Sequence, residues 1–437
     1  MKPNMSALDR VIDDLKEEYS QRNPRSQAMM AMAENWMPGG NTRSVLHFDP
    51  FPLVIERGEG AYLHDVDGHV LLDCVGEFSA GLYGHSDPQI LGAVSTAMAS
   101  GIVLGAPNLY EARLAELVCE RFPSVDLVRF CNSGTEANVL AAVTARHVTG
   151  RSAIVVFDGA YHGGVMTFGG GGNPMNVPFD WIVLPYNDAE QVRKTFAEEG
   201  RRIAAAFVEP VLGAAGNIAG QREFLQALRD ETEKSGSVLI FDEVKTSRLG
   251  SGGVQKQLGI TPDLTTLGKY LGGGFPLGAF GGSERIMSRF NPRIAGNLSH
   301  AGTFNNNVCS MAAGSMGLSE VFSEEIADAF LEKTETFRQQ LDRDLKALSP
   351  RFHVSGMGSL ISIHLRETAP ERAADTTPAS LAFRRVLNLT GLLSGVAFTG
   401  RGDIFLSLPM TDQDLATIRA AILKTAGEYG ALCLEQA

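Results

Sequence analysis

The sequence predicts an α/β protein. It has a large domain with a mostly parallel sheet flanked by helices, and a smaller α+β domain built from both termini. Three observations carry this. From about residue 85, short apolar runs alternate with helix-period segments: LVRF (127–130), AIVVF (153–157), IAAAFVEP (203–210), SVLIFDE (237–243) and LTTLGK (264–269). Runs that are apolar throughout suit strands covered on both faces. After about residue 310 the pattern changes to long helices with a few short strands. Glycine is the third: 31 of the 48 glycines lie between residues 76 and 282, so that block needs backbone that ordinary side chains forbid.

Taken in order, the N-terminal MKPNMSALDRVIDDLKEEYS is amphipathic and charged, which predicts an exposed helix rather than a targeting signal. PLVIERGEGAYLHDVDGHVLLDCV predicts two short strands joined at Asp67-Gly68, packed on the C-terminal unit. In the central block TEANVLAAVTARHVTG predicts a helix that begins behind Ser133 and Thr135, both good N-caps, and stops at Gly150. Beyond residue 310 come a long helix SMAAGSMGLSEVF, a second EEIADAFLEKTETFRQQLDRDLKAL, strands in GSLISIHL and IFLSLP, and a last helix DLATIRAAILKTAGEY. The expected division is 1–75 for the N-terminal helix and part of the small domain, 76–310 for the large domain, and 311–437 for the C-terminal part of the small domain. A ligand is expected between the central block and its flanks.

Charge and cysteine usage narrow the function. The net charge is −12 and no Lys/Arg run follows a phosphate backbone, so nucleic acid is not an expected partner. Five scattered cysteines without CxxC spacing argue against a disulfide framework or a metal site and for a reducing cytoplasm. No apolar stretch approaches the roughly 20 residues of a membrane span, so no membrane is expected.

Four segments of the central block carry chemistry. CNSGTEAN (131–138) runs from a strand through Ser133, Gly134 and Thr135 into a helix N-terminus, where free N–H groups and the helix dipole form an anion site; taken alone it is also an ordinary capped helix. VFDGAYHGG (156–164) places Tyr161 and His162 in a glycine-flanked loop, with Tyr161 either stacking on a planar ligand or capping the core. LIFDEV (239–244) ends a buried strand on two carboxylates, and a buried carboxylate needs a partner. Asp242 then faces a cation, such as a protonated pyridine nitrogen; Glu243 points to the opposite face as a structural group, and Val244 returns to the first. In TTLGKYLGGGFPLG (265–278), Lys269 directly follows a strand, and small, apolar neighbours lower a lysine's pKa toward what an imine-forming amine requires.

A phosphate cradle, a ring stacker, a ring-nitrogen partner and an imine-forming lysine at successive strand ends describe a pyridoxal phosphate site. With NSGTEAN, DEV and LGK, the chain resembles the class III (subgroup II) aminotransferases of the fold-type I pyridoxal phosphate enzymes from about residue 25 to about 430. The resemblance implies that Lys269 carries the cofactor and shuttles the proton, and that Asp242 keeps the ring nitrogen protonated. It implies that Tyr161 and Val244 sandwich the ring with His162 beside it, that Ser133, Gly134 and Thr135 hold the phosphate, and that Thr303 in HAGTFNNN reaches the phosphate of a neighbouring subunit. A homodimer with shared active sites follows.

DEVKTSRLGSGG stands where common members read DE(V/I) followed by a GFGRTG-like stretch. With PGGNTRSV and GTFNNN, the departure moves the resemblance toward the glutamate-1-semialdehyde aminomutase branch and, within it, the β-amino-acid aminotransferases of the β-phenylalanine type. By the same resemblance Arg43 holds a substrate carboxylate. Arg401, between two glycines before a strand, suits a mobile arginine that binds the acidic cosubstrate or moves aside for a side chain; from the residues alone either arginine also reads as an ordinary surface one. Phe78, Tyr83 and the stretch Val211, Leu212, Ala214 line an aryl or alkyl pocket or pack the core. The expected reaction moves an amino group from an amino acid, above all an aromatic β-amino acid, to a keto acid such as 2-oxoglutarate or pyruvate. An intramolecular 2,1-aminomutase, an ω-amine transaminase and a non-catalytic cofactor-binding protein are the competing readings.

Overall fold

The computed structural model describes residues 6–435. Its centre is a seven-stranded sheet in the order Leu127–Cys131, Gly278–Gly282, Leu264–Gly268, Val238–Asp242, Ile203–Val208, Ala153–Phe157, Asp180–Leu184. Only Gly278–Gly282 runs antiparallel to its neighbours; the other pairings are parallel. Every apolar run read as a strand is one, and four of the five lie in the buried middle of the sheet, which explains why they are apolar throughout. The two strands that the sequence pattern misses are informative. Asp180–Leu184 is a half-exposed edge, and Gly278–Gly282 is a GAFGG segment with little β-propensity that is fixed by its two neighbours.

The helix after Leu127–Cys131 spans Gly134–Thr149 and packs across the sheet. Ser133, not Thr135, is its N-cap, with Oγ accepting from Glu136 N at 3.1 Å; Gly150 ends it in the left-handed conformation, φ 67°.

The two ends of the chain share structure. Ile55–Glu59, Tyr62–Asp65 and Val70–Asp73 form an antiparallel meander whose last strand pairs in parallel with Val396–Ala397. There are three strands here rather than the expected two, because Gly60, at φ 55°, makes a second turn inside what reads as one strand. Phe352–Met357, Leu360–Leu365 and Asp403–Phe405 form a separate antiparallel sheet. The helix expected from residue 310 starts at Val308 and ends at Met316, followed by the wider turn Gly317–Val321, and a helix Pro378–Ser394 not foreseen from sequence joins the small sheets.

The N-terminal helix Ala7–Arg22 corrects a further expectation, since it is docked rather than exposed; the first five residues of that segment lie outside the described residues. Leu8, Ile12 and Tyr19 recur on one face and are buried, and Tyr19 Oη donates to Phe51 O at 2.9 Å. The charged face points to solvent, so its composition masked the stripe. Among the described residues no helix is long and apolar enough to cross a membrane.

The antiparallel strand also positions the site. A Cβ on Gly278 would lie 2.1 Å from Ser133 O, so glycine is what lets this strand close against the turn into the Gly134–Thr149 helix. Gly278→Ala is expected to cost about 1–3 kcal/mol, read from urea unfolding, through forced movement of that backbone. Wild-type stability in this variant would show that the close approach is not required.

Candidate active site

The parallel strands all deliver their carboxyl ends to one edge of the sheet. There Cys131 leads to Ser133, Phe157 to Tyr161, Val208 to Glu209, Asp242 to Val244 and Gly268 to Lys269. This edge is where open α/β sheets bind ligands, because the turns there are free of the packed helices. A cavity of about 1130 Å³ opens on it, with Ser133, Gly134, Lys269, Glu77 and Phe78 among its walls.

Contacts at the glycines show how tightly these strand ends converge. A Cβ on Gly134 would lie 2.7 Å from Val244 Cγ1, and one on Gly163 would lie 2.3 Å from Thr135 Oγ1. The first turn of the helix therefore touches both the Asp242–Val244 strand end and the Tyr161 loop. Since Ser133 Oγ takes the amide of Glu136, the amides of Gly134 and Thr135 at the helix start have no partner in the helix ladder.

Asp242 is 4% exposed. Its Oδ2 accepts from Asn138 Nδ2 at 2.8 Å and meets His162 Nδ1 at 2.8 Å, while Oδ1 accepts from Val244 N at 3.0 Å. His162 is fully buried and stacked on Phe207 at 4.4 Å, so its place in the site is as a prop of Asp242. Glu243 points the other way, as strand alternation requires, and binds Thr246 Oγ1 and the amides of Val254 and Gln255. Lys269 has φ 54°, a left-handed backbone directly after the strand, and burial pushes its pKa down to about 8. That value is a balance in which burial is the largest influence, Asp242 and Glu209 raise it, and Arg401 and Arg43 lower it.

Arg43 and Arg401 converge on one ring. Each guanidinium carbon lies 5.3 Å from the Phe78 centroid. Phe78 sits in a turn, Gly76–Ser79, in which Glu77, Phe78 and Ser79 take φ of 47°, 53° and 77°. Left-handed backbone at non-glycine residues costs of order 1–3 kcal/mol each. Glu77 pairs with Arg43, but both side chains are well exposed and such a pair is worth about 0–1 kcal/mol, too little to hold the turn. Buried groups hold it instead: Asp73 Oδ1 accepts from Val75 N and Gly76 N at 2.8 and 3.0 Å, and the fully buried Arg248 donates to Ser79 O at 2.9 Å and also to Leu406 O.

Other expected site residues lie elsewhere. Tyr83 is a core residue, packed on Tyr270 and Gly317, because its ring points into the main hydrophobic cluster rather than the cavity. Ala214 is exposed in the turn between two short strands, and Val211 and Leu212 beside it are fully buried in the core. Thr303 is exposed on the 300–307 segment, whose Asn305 Oδ1 accepts from Asn132 Nδ2 at 3.1 Å. His300 of the same segment, not an expected site residue, takes a hydrogen bond from Arg129 Nε at 3.0 Å. Sequence reading missed Asn138, Glu209, Lys245, Arg248, Asp73 and Glu77. Glu209, the polar end of a buried strand, carried the same signal as Asp242; the others act through tertiary contacts that spacing does not reveal.

Among the described residues no cluster of His, Cys, Asp and Glu suits a metal, and the cysteines are free. Residues 46–408 match the class III aminotransferase family, and the chain belongs to it. It is an aminotransferase, and pyridoxal phosphate is the cofactor of the family. It is 47% identical, over 98% of both chains, to a β-phenylalanine transaminase of Variovorax paradoxus, and it superposes on the crystal structure of the β-phenylalanine aminotransferase from that organism with a TM-score of 0.95 over 98% of this chain and 99% of that one. A glutamate-1-semialdehyde 2,1-aminomutase of Brevibacillus brevis is 37% identical over 91% of this chain and 97% of its own. An ω-transaminase structure from Sphaerobacter thermophilus is 34% identical with a TM-score of 0.84, covering 92% and 96%.

The strained turn generates a test. Glycine at position 77 removes left-handed strain of about 1 kcal/mol or more and gives up an ion pair worth no more than that. Glu77→Gly should be at least as stable as wild type in urea unfolding, whereas glycine at an ordinary position destabilises.

Proposed function

We propose that the chain transfers the amino group of an aromatic β-amino acid to a keto acid such as 2-oxoglutarate or pyruvate, working as a homodimer with shared active sites. The observation that carries the substrate reading is the pair of arginines that converge on Phe78, a residue of the cavity wall. Both depress the Lys269 pKa, so both reach the reacting centre electrostatically. A guanidinium fork is the group that takes a carboxylate bidentately. Resemblance to the Variovorax paradoxus enzyme supports a β-amino acid over an α-amino acid.

The residues present fit pyridoxal phosphate. The unpaired amides of Gly134 and Thr135 at the helix start, with Ser133, suit its phosphate, and the close packing at Gly134 leaves no room for a side chain there. Asp242, held from three sides but with Oδ1 taking only the amide of Val244 as a short contact, suits the ring nitrogen. Tyr161 presents a half-exposed ring to stack on the cofactor, with Val244 near Gly134 on the strand side. When bound, the group supplies an electron sink for the amine-bearing carbon. Lys269 is the residue that would hold it covalently and, once freed, would move the proton; a pKa near 8 would let one amine both accept and return that proton near neutrality. Arg43 orients the substrate by its carboxylate, and Arg401 takes the acid of the cosubstrate.

The dimer reading rests on an apolar face. Val103 is 80% and Leu109 89% exposed, beside the exposed Phe304. The two loops are joined by Asn108 Nδ2 to Asn306 O at 2.7 Å, and it is the resemblance to the class III family that supports Thr303 reaching the phosphate of a second copy placed over this face. Unpaired cysteines agree with a reducing cytoplasm.

Two experiments test the reading. Covalent uptake of pyridoxal phosphate by the apo-protein should speed up as pH rises toward about 8 and then level off, since the neutral amine reacts and Lys269 is an ammonium below that value; Lys269→Ala should show no covalent uptake. A rise continuing to the ordinary lysine value would mean that burial does not tune this amine. In the second, α-, β- and ω-amino acids and carboxylate-free amines are added to the holoenzyme while its cofactor absorption is followed. Bleaching by aromatic β-amino acids, and its loss by about tenfold or more in kcat/KM for Arg43→Met, is expected. Bleaching by carboxylate-free amines alone would overturn the arginine assignments, and turnover without any keto acid would favour an aminomutase.

A further inference from the structure

Lys245 follows the Asp242–Val244 strand end and is largely buried. Its Nζ donates to Asn217 Oδ1 at 2.5 Å and lies 4.8 Å from the Phe405 ring centroid. Asn217, itself fully buried, donates from Nδ2 to Asp403 Oδ1 at 3.2 Å, to Ser362 Oγ at 2.9 Å and to Ile361 O at 3.0 Å, and Ser362 Oγ donates to the same Asp403 oxygen at 2.7 Å. The other oxygen of Asp403 is buried without a hydrogen-bond partner. It meets Arg401 Nη2 at 3.1 Å as an ion pair that lacks hydrogen-bond alignment. On the opposite side of Lys245, a Cβ on Gly213 would lie 2.9 Å from Nζ and 3.1 Å from Glu209 Oε1, which puts that carboxylate just across the Gly213 backbone. Glu209 in turn accepts from Tyr161 N at 2.9 Å and from Gly213 N at 3.1 Å.

A chain of buried polar groups therefore runs from the Tyr161 loop through Glu209, Lys245, Asn217 and Asp403 to Arg401. We propose that Lys245 is a positioning residue that sets how firmly Asp403 holds Arg401, and so how readily Arg401 turns to the second carboxylate of a dicarboxylic keto acid. This rests on the reading of Arg401 given above. A buried carboxylate stripped of its cation is costly. With a charged Lys245 behind Asn217, Asp403 stays balanced when Arg401 leaves, and the loose contact at Oδ2 gives little to break. With Lys245 uncharged, Arg401 becomes the chief counter-charge and stays where it is; Arg384 is already engaged by Ile363 O and His364. The charged groups acting on Lys245 are Asp403, Glu209, Arg401 and Lys269. Burial is the largest influence and brings its pKa to about 8, with the two carboxylates opposing and the two cations assisting. The lysine is thus charged at neutral pH and discharges just above it.

The test uses the holoenzyme and calorimetric binding of glutarate, a dicarboxylate that cannot react, with 3-phenylpropionate as the single-carboxylate control. Lys245→Met keeps the stem on Phe405 and removes the charge. It should weaken glutarate by about tenfold and leave 3-phenylpropionate within about twofold. Wild-type affinity for glutarate should fall as pH rises through about 8, and this fall should be absent in Lys245→Met. If the single variant folds poorly, Lys245→Met combined with Glu209→Gln also removes the nearby carboxylate across Gly213 and should show the same selective loss. Arg401→Met separates the two readings. If it weakens glutarate while both Lys245 variants bind glutarate like wild type, the positioning role is wrong and the Arg401 reading stands. If glutarate ignores Arg401→Met, the Arg401 reading itself fails.

Discussion

Asp242 is the constraint around which the site is arranged. A carboxylate 4% exposed at the end of an apolar strand is tolerable only when its lone pairs are answered, and each answer fixes another element. Asn138 ties it to the helix that starts at Gly134, His162 ties it to the Tyr161 loop, and Val244 N sets the turn that leaves the strand. Asn138 Nδ2 also donates to His162 O at 3.0 Å, so the helix and the loop are fixed to each other as well as to the carboxylate. The same residue that suits a ring nitrogen thus aligns the parts that would surround the rest of the ring.

The Phe78 turn obeys a different balance. There the chain accepts left-handed backbone at three successive non-glycine residues, and this strain is offset by buried hydrogen bonds from Asp73 and Arg248, not by the exposed Arg43–Glu77 pair. The result is a Phe78 ring held in place with two partly exposed arginines near it. Phe78 is thus a fixed apolar ring with two adjustable cations beside it. Lys245 and Asp403 extend that adjustability behind the wall, in a region where low dielectric makes each charge count.

The motifs legible in the sequence were those whose chemistry is local. A helix begins at Ser133 and ends at Gly150 because capping is decided by a few neighbouring residues, and the strand ends at Asp242 and Lys269 follow from apolar runs interrupted by a charge. Tyr83 and Leu212 read equally well as pocket or core, because an apolar residue near a site carries no mark of which way it faces; both turned out to be core. The N-terminal helix was misjudged because its charges outnumber the Leu8, Ile12, Tyr19 stripe that docks it.

The sequence by itself determined the sheet's buried strands, the family and the absence of a membrane-length apolar segment. These depend on patterns a few residues long. Only the tertiary structure decided that Arg43 and Arg401 share the Phe78 ring, that Arg248 of the DEVKTSR segment supports a turn 169 residues away, and that Lys245 reaches Asp403 through Asn217. Those contacts join residues far apart in the chain, and their energies come from burial and charge balance, which exist only once the chain is folded.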